Sequence, residues 1–162
     1  MIWLRTFLFT ILAPGTVTVL IPYLLLSARR GGVAVLGPLR FLGFAPLLLG
    51  VAIYVWCARD FATRGQGTPA PYDPPRRLVM SGFYQFVRNP IYVGVLLIVL
   101  GEAILFHAPA LLPYAALLFL AFHLRVLSYE EPTLRRMFGE AYVRYCAAVP
   151  RWLPRRRNRG NS

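Results

Sequence analysis

Two short polar clusters interrupt an otherwise apolar chain: Arg88, Asn89 and Tyr92, then His123, Arg125, Tyr129, Glu130 and Glu131. The first opens an apolar run with Asn89-Pro90, an N-cap residue followed by proline at the first helical position. A helix that begins there presents unpaired backbone N–H groups and a positive dipole end, which suit a carboxylate or phosphate. Glu130 in the second cluster is an acceptor for hydroxyl or amino groups. Together the two would match a zwitterionic ligand that carries a ribose. His123 and Glu130 share one face of a helix by their spacing, and Arg125 and Tyr129 share another.

Plainer assignments compete with these. Arg88 also suits a helix end at a membrane interface, with its stem in the apolar layer and its head in water. Glu130-Glu131 also suits an exposed acidic pair, with Arg135 within i,i+4 reach. Glu102 stands apart, inside the apolar run 97–106 with no charged neighbour in sequence. An ionisable group in such a run faces the interior of a bundle and by default marks function. It is a candidate hydrogen-bond donor or base, with helix packing as the alternative. His107 reads as an interfacial histidine at a turn. There is no glycine-rich dinucleotide fingerprint, no phosphate-binding loop and no clustered Cys/His set, so no metal site is expected. Gly65-Gln66-Gly67 reads as a flexible turn, and Cys57 and Cys146 are placed where a structural disulfide is not expected.

The elements that must position these residues are long apolar runs. Hydrophobic residues make up 57% of the 162 and charged residues only 15%, outside the range of an ordinary soluble domain. The charges are pushed into the gaps and the C-terminal end. Four spans are expected, at about residues 2–26, 39–57, 90–106 and 110–127. Pro14 and Pro22 are tolerated in a membrane helix. A signal peptide is disfavoured by the length of the first run and by the lack of a small-residue cleavage site before Arg29 and Arg30. The uncharged turn His107-Ala108-Pro109 makes the last two spans an antiparallel hairpin, which brings the two polar clusters together.

Residues 59–89 hold Gly65, Gly67, Pro69, Pro71, Pro74 and Pro75 and cannot form one helix. A loop of that length is a candidate for building a site. After Pro132, Leu134, Phe138, Ala141, Tyr145 and Ala148 recur at helical spacing while Arg135, Arg136, Glu140 and Arg144 take other positions. The expected fold class is thus an all-α integral membrane protein of about four transmembrane helices plus a C-terminal amphipathic interfacial helix. It forms a single domain: two N-terminal helices in 1–58, a cytoplasmic loop in 59–89, then the hairpin, amphipathic helix and basic tail in 90–162.

All 18 basic residues are arginine, and the formal net charge is +12. Cytoplasmic positive charge and anionic headgroups account for arginines that flank apolar spans, so nucleic acid is not expected as a partner. With four spans, the N-terminus, residues 59–89 and the C-terminus share one side, and only Arg29, Arg30 and Arg40 fall opposite. The positive-inside rule puts the shared side in the cytoplasm. The tail after Pro154, rich in arginine, is expected to touch anionic lipid.

From Leu78 to Pro154 the chain resembles the isoprenylcysteine carboxyl methyltransferases and their relatives, the membrane phospholipid methyltransferases. The resemblance rests on Leu78-Val79-Met80-Ser81-Gly82-Phe83-Tyr84, Arg88-Asn89-Pro90-Ile91-Tyr92-Val93-Gly94, Glu130-Glu131, Phe138-Gly139-Glu140-Ala141-Tyr142 and Val149-Pro150-Arg151. It implies an S-adenosylmethionine site on Arg76, Arg77, Leu78, Val79, Tyr84, Asn89, Pro90, Ile91, Tyr92 and Glu130, built without a Rossmann fold. It also favours a ligand role for Glu130. Two positions depart from the family pattern: Asn89 stands where the family has histidine, and Val126 where the carboxyl methyltransferases have an arginine thought to meet substrate. Arg125 is one position earlier, about 100° around a helix.

The expected activity is direct methyl transfer from the sulfonium to a lipophilic acceptor entering from the bilayer, with the site and C-terminus on the cytoplasmic face of a bacterial-type inner membrane. Proximity and alignment would supply most of the rate. An isoprenylcysteine-type carboxylate needs no base. A phospholipid amine must lose a proton, which would give Glu102, His123 or Glu130 catalytic work; Arg125 is the further catalytic candidate. Rival classes are a nicotinamide-dependent membrane reductase and a non-catalytic membrane module.

Overall fold

The computed structural model describes Leu4 and residues 12–28, 37–65 and 77–154. The start of the first expected span, Arg29, Arg30, the Gln66-Gly67 part of the glycine turn, Arg76 and the arginines after Pro154 lie outside the described residues. Among the described residues, five helices carry the fold: α1 Leu12–Ser27, α2 Phe44–Asp60, α3 Pro90–Leu105, α4 Leu111–Arg125 and α5 Glu131–Ala148. No strand occurs among the described residues.

Among the described residues, two helical runs are long and apolar enough to cross a membrane, Gly37–Arg64 and Leu111–Ala148, and two shorter apolar helices, Leu12–Ser27 and Pro90–Leu105, join them. Leu24, Leu48, Val55, Leu117 and Leu120 are each half exposed or more. Water would penalise that much outward apolar surface, whereas lipid does not. The chain is an all-α membrane protein.

Local chemistry explains where the helices depart from regularity. In α1, Pro22 has no N–H for the Thr18 carbonyl, and the backbone widens to a π turn over Thr16–Leu20. The Thr18 hydroxyl bonds back to the Pro14 carbonyl at 2.8 Å. The second span begins as a 3₁₀ stretch, Gly37–Gly43, and continues as helix past Cys57 to Asp60 and a π turn at Phe61–Gly65. It therefore extends into what the sequence suggests is loop.

α2 and α3 run antiparallel in close contact. A Cβ placed on Gly50 would lie 2.5 Å from the Gly94 carbonyl oxygen, and one on Gly94 would lie 2.9 Å from that of Gly50. Gly43 and Gly101 repeat this one step along, where a Gly101 Cβ would meet the Gly43 carbonyl at 2.8 Å. Small residues let membrane helices approach backbone to backbone and gain dispersion contacts that lipid-facing side chains would block. α3 then turns at His107, φ 50°, into α4, with Val99, Ala103, Ala108, Leu111 and Ala115 packed at that end.

α4 and α5 are not separate elements. A π turn at Val126–Glu130 carries the helix through Pro132, and α5 bends only at Gly139, where φ is 52° and ψ −130°. The bend changes the buried face. Tyr142, Tyr145 and Val149 pack with Leu78, Leu134 and Phe138, whereas Ala141 and Ala148, expected on the apolar stripe, are exposed.

Candidate functional site

The N-terminal end of α3 and the C-terminal end of α4 meet, as a hairpin requires. Tyr92 stacks on Phe122 with ring centroids 4.3 Å apart, and its hydroxyl donates to Glu130 Oε1. Arg125 Nε donates to the same oxygen at 3.0 Å. This pairing departs from the face assignment made for a regular helix, where positions 125 and 130 diverge. The π turn between them closes at i→i+5 and brings them onto one face. Arg125 also lies over the Tyr129 ring, 5.5 Å from its centroid, so the expected Arg125–Tyr129 proximity is present as well. His123 takes another partner: Trp152 Nε1 donates to its Nδ1 at 3.1 Å.

Arg88 is not an interface anchor. Its side chain is only 12% exposed and its Nη1 lies 3.1 Å from Glu131 Oε1, with the Cys146 sulfur at 2.7 Å. Glu131 in turn receives Arg151 through two bonds, Nε to Oε1 at 2.7 Å and Nη2 to Oε2 at 3.0 Å. Glu131 thus pairs with two distant arginines, not with Arg135 nearby. Burial alone would raise the Glu131 carboxyl above its usual range; the Arg151 bonds and the Arg88 charge outweigh it and hold the group below that range.

These contacts fasten residues 149–152 across the start of α3. The Arg88 N–H donates to the Pro150 carbonyl at 2.9 Å. Asn89 Nδ2 donates to the Arg151 carbonyl at 3.3 Å, so the Asn89 side chain ties down this strap and makes no side-chain cap of its own helix. From the other side, the Tyr145 hydroxyl donates to the Tyr84 carbonyl at 2.7 Å. Tyr84 is buried, and this burial, then Cys57 and Tyr145 beside it, push its phenol well above its usual value. It remains a neutral hydroxyl.

Between these parts lies a cavity of about 370 Å³, within the range of small-molecule sites. Its walls bring together Leu78, Val79, Tyr84, Asn89, Ile91, Tyr92, Arg125 and Glu130 from the sequence-derived candidates, together with Arg88 and Glu131. Pro90 is fully buried behind the wall, and Arg77 is exposed. His123 is not among the wall residues and sits in a ring cluster with Phe119 and Trp152. Glu102 is ten residues along α3 from Tyr92, about 15 Å at helical rise, with a buried Oε2 that has no hydrogen-bond partner among the described residues. The structure does not bring Glu102 to the cavity.

Sequence reasoning missed other wall residues: Ala13, Pro14 and Val17 of α1, Phe122, and Tyr142 and Tyr145 of α5. Tyr145 was legible only as part of the amphipathic stripe and Tyr142 only within the family motif, and both follow the Gly139 bend in α5. The arrangement offers a largely apolar chamber lined by two carboxylates and two arginines. Arg88 Nε is buried there without a partner among the described residues, an orphan donor that an anionic ligand group would satisfy.

Residues 39–141 match the phospholipid methyltransferase family. Among curated proteins, the chain is similar to protein-S-isoprenylcysteine O-methyltransferase B of Arabidopsis thaliana, 33% identical over 78 residues, which are 48% of this chain and 40% of that protein. A probable protein-S-isoprenylcysteine O-methyltransferase of Oryza sativa subsp. indica is 30% identical over 83 residues, 51% of this chain and 44% of that protein. The chain thus spans less than half the length of these relatives. No solved structure matches it.

Proposed function

We propose that this chain, which belongs to the phospholipid methyltransferase family, is a membrane methyltransferase that moves the methyl group of S-adenosylmethionine to a lipophilic acceptor. The observation that carries the reading is the cavity at the joined ends of α3 and α4, whose walls combine apolar surface with paired charges. The residues suit that ligand. Arg88 Nε and the first-turn N–H groups of Ile91 and Tyr92 are donors for its carboxylate. Both bonds from Tyr92 and Arg125 fall on Glu130 Oε1, so Oε2 is an acceptor for ribose hydroxyls. Leu78, Val79 and Tyr84 form an apolar wall suited to the adenine. Arg77, and Arg76 beyond the described residues, belong to this set by the family pattern alone.

S-adenosylmethionine supplies a methyl group already activated on a sulfonium. The chain's own residues therefore need only bind it, align an acceptor with it and exclude water. Glu130 and Glu131 each hold an arginine, so a proton taken by either would break an ion pair in a partly buried site. Glu102 and His123 both lie outside the cavity wall. An acceptor that must shed a proton is poorly served, whereas an anionic one meets Arg125 on the cavity wall. These contacts support a carboxylate acceptor of the isoprenylcysteine type, named for the plant relatives, over a phospholipid amine.

We place the site end of the bundle in the cytoplasm, as for a bacterial-type inner-membrane protein. Arg59, Arg64, Arg77, Arg88 and Arg151 lie toward that end and Arg40 toward the other. Exposed Arg135, Arg136 and Arg144 on α5 suit anionic headgroups there.

The test is methyl-labelled S-adenosylmethionine offered to the protein in bilayer discs with isoprenylcysteine analogues or aminophospholipids. Label recovered as a base-labile ester is the expected result. Label on an amine lipid alone would replace the acceptor assignment, and tight binding of NADPH with none of S-adenosylmethionine would overturn the methyltransferase reading.

A further inference from the structure

Asp60 is the last residue of α2 and is 5% exposed. One physical penalty falls on it. A buried carboxylate needs hydrogen-bond partners, and Oδ2 has none among the described residues. The ion pair to Arg64, Nε to Oδ1 at 3.6 Å with Arg64 55% exposed, offsets little of this. Helix stability does not account for the residue.

Its surroundings do. The chain leaves α2 through Arg64 and returns through residues 77–87, which carry Leu78, Val79 and Tyr84 into the cavity wall. Arg64, held by Asp60, donates through Nη1 to the Ser81 hydroxyl. Next to Ser81, Gly82 sits against Asp60 with φ +61°; a Cβ there would overlap Asp60 Oδ2 and lie 3.0 Å from Trp56 Nε1. Trp56 then meets the Phe83 ring edge-on at 6.2 Å. Asp60 thus touches both the outgoing and the returning arm of the connection. The returning arm continues into the 3₁₀ turn Gly82–Gln85, and that turn fixes Tyr84.

We infer that Asp60 is a positioning residue for the cofactor wall, seating the Ser81-Gly82 backbone against the end of α2 so that Leu78, Val79 and Tyr84 face the cavity. The inference rests on the methyltransferase reading only for the ligand used to detect it. Asp60 lies outside the cavity wall itself, so its loss acts through the loop.

The experiment compares wild type, Asp60→Ala, Asp60→Asn, Gly82→Ala and the Asp60→Ala/Gly82→Ala double variant in bilayer discs. Asp60→Ala is expected to raise the KM for S-adenosylmethionine about tenfold while kcat at saturation stays within about threefold, as uniform loss of binding predicts. Asp60→Asn, which keeps the shape of the seat, is expected to restore most of that loss. Gly82→Ala is expected to impair binding as Asp60→Ala does. The double variant should lose less than the two single losses combined, because truncating Asp60 removes the overlap with Oδ2 and leaves only the positive φ and the Trp56 contact of Gly82→Ala. Amide hydrogen exchange gives a readout that needs no ligand: residues 81–87 should exchange faster in Asp60→Ala while α3 and α4 stay as protected as in wild type. Unchanged exchange there, or fully additive losses, overturns the inference. Failure of the wild type to bind S-adenosylmethionine while the exchange change is seen would sink the methyltransferase reading and leave the seating role standing.

Discussion

The Tyr92 hydroxyl and Arg125 Nε converge on one oxygen of Glu130, across the α3–α4 hairpin and across the π turn at its end. One carboxylate therefore ties two helices together through a single oxygen. Glu130→Ala is expected to weaken S-adenosylmethionine binding by more than tenfold, a loss of at least about 1.4 kcal/mol. Glu130→Gln should fall between, since it accepts from Tyr92 but gives Arg125 no opposite charge. Tyr92→Phe removes one neutral donor and should cost about two- to fivefold. Calorimetric titration checks all three, with a melting curve for each; wild-type affinity in Glu130→Ala would remove Glu130 from the site.

Glu131 holds Arg88 on one side and Arg151 on the other, with its own side chain 16% exposed. Removing it leaves two guanidinium groups without their acceptor, so Glu131→Ala should lower stability by about 3 kcal/mol. Arg151→Ala should cost less, because Arg151 is the more exposed partner and Arg88 remains paired. The Glu131 carboxyl is held below its usual range in the folded chain. Its contribution is therefore fully present above the unfolded carboxylate value and is lost as pH falls through the lower folded value. Melting temperature should drop on acidification below about pH 4 in wild type, and Glu131→Gln should remove the part of that drop due to this group.

The hairpin and the meeting of its polar ends were legible in the sequence because a three-residue uncharged turn between two apolar runs leaves the chain little choice. Leu78, Val79, Asn89, Ile91, Tyr92 and Glu130 on the cavity wall follow from that topology and from the family pattern. The pairings were not legible. Arg125 with Glu130 depends on a π turn, and periodicity assumes a regular helix. Arg88 with Glu131 and Arg151 joins segments far apart in sequence, whereas spacing suggests only the local Arg135. Asp60 escaped notice because α2 was expected to end before it.

Gly50 and Gly94 test how α3 is held at the right depth. Either Cβ would press on the other helix's carbonyl oxygen, at 2.5 Å or 2.9 Å, closer than real Cβ contacts allow. Backbone cannot move aside as a flexible side chain can, so Gly50→Ala or Gly94→Ala should destabilise the bundle by about 1–3 kcal/mol, and valine by more. Thermal unfolding in detergent measures this. If both alanine variants melt with the wild type, the close approach of α2 and α3 does not hold the hairpin.

Gly139 bends α5 and thereby decides which side chains cover the cavity. Its φ of 52° with ψ −130° lies in a region that residues with a Cβ rarely enter. No atom lies within 4 Å of an added Cβ, so Gly139→Ala probes the backbone alone and not packing. Alanine has two options. It can hold the bend at about 1–3 kcal/mol of strain, or it can let α5 run straight, which turns Ala141 and Ala148 inward and carries Tyr142 and Tyr145 off the wall. The second breaks the Tyr145–Tyr84 bond and the packing of Val149 against Leu78 and Leu134. Both lower the melting temperature, but only straightening raises hydrogen exchange across residues 142–149 and weakens S-adenosylmethionine binding together. We expect that joint change, because helical propensity for alanine at the bend adds about 1 kcal/mol in its favour. A lower melting temperature with unaltered exchange and binding would mean that the tyrosine contacts, not glycine, impose the bend.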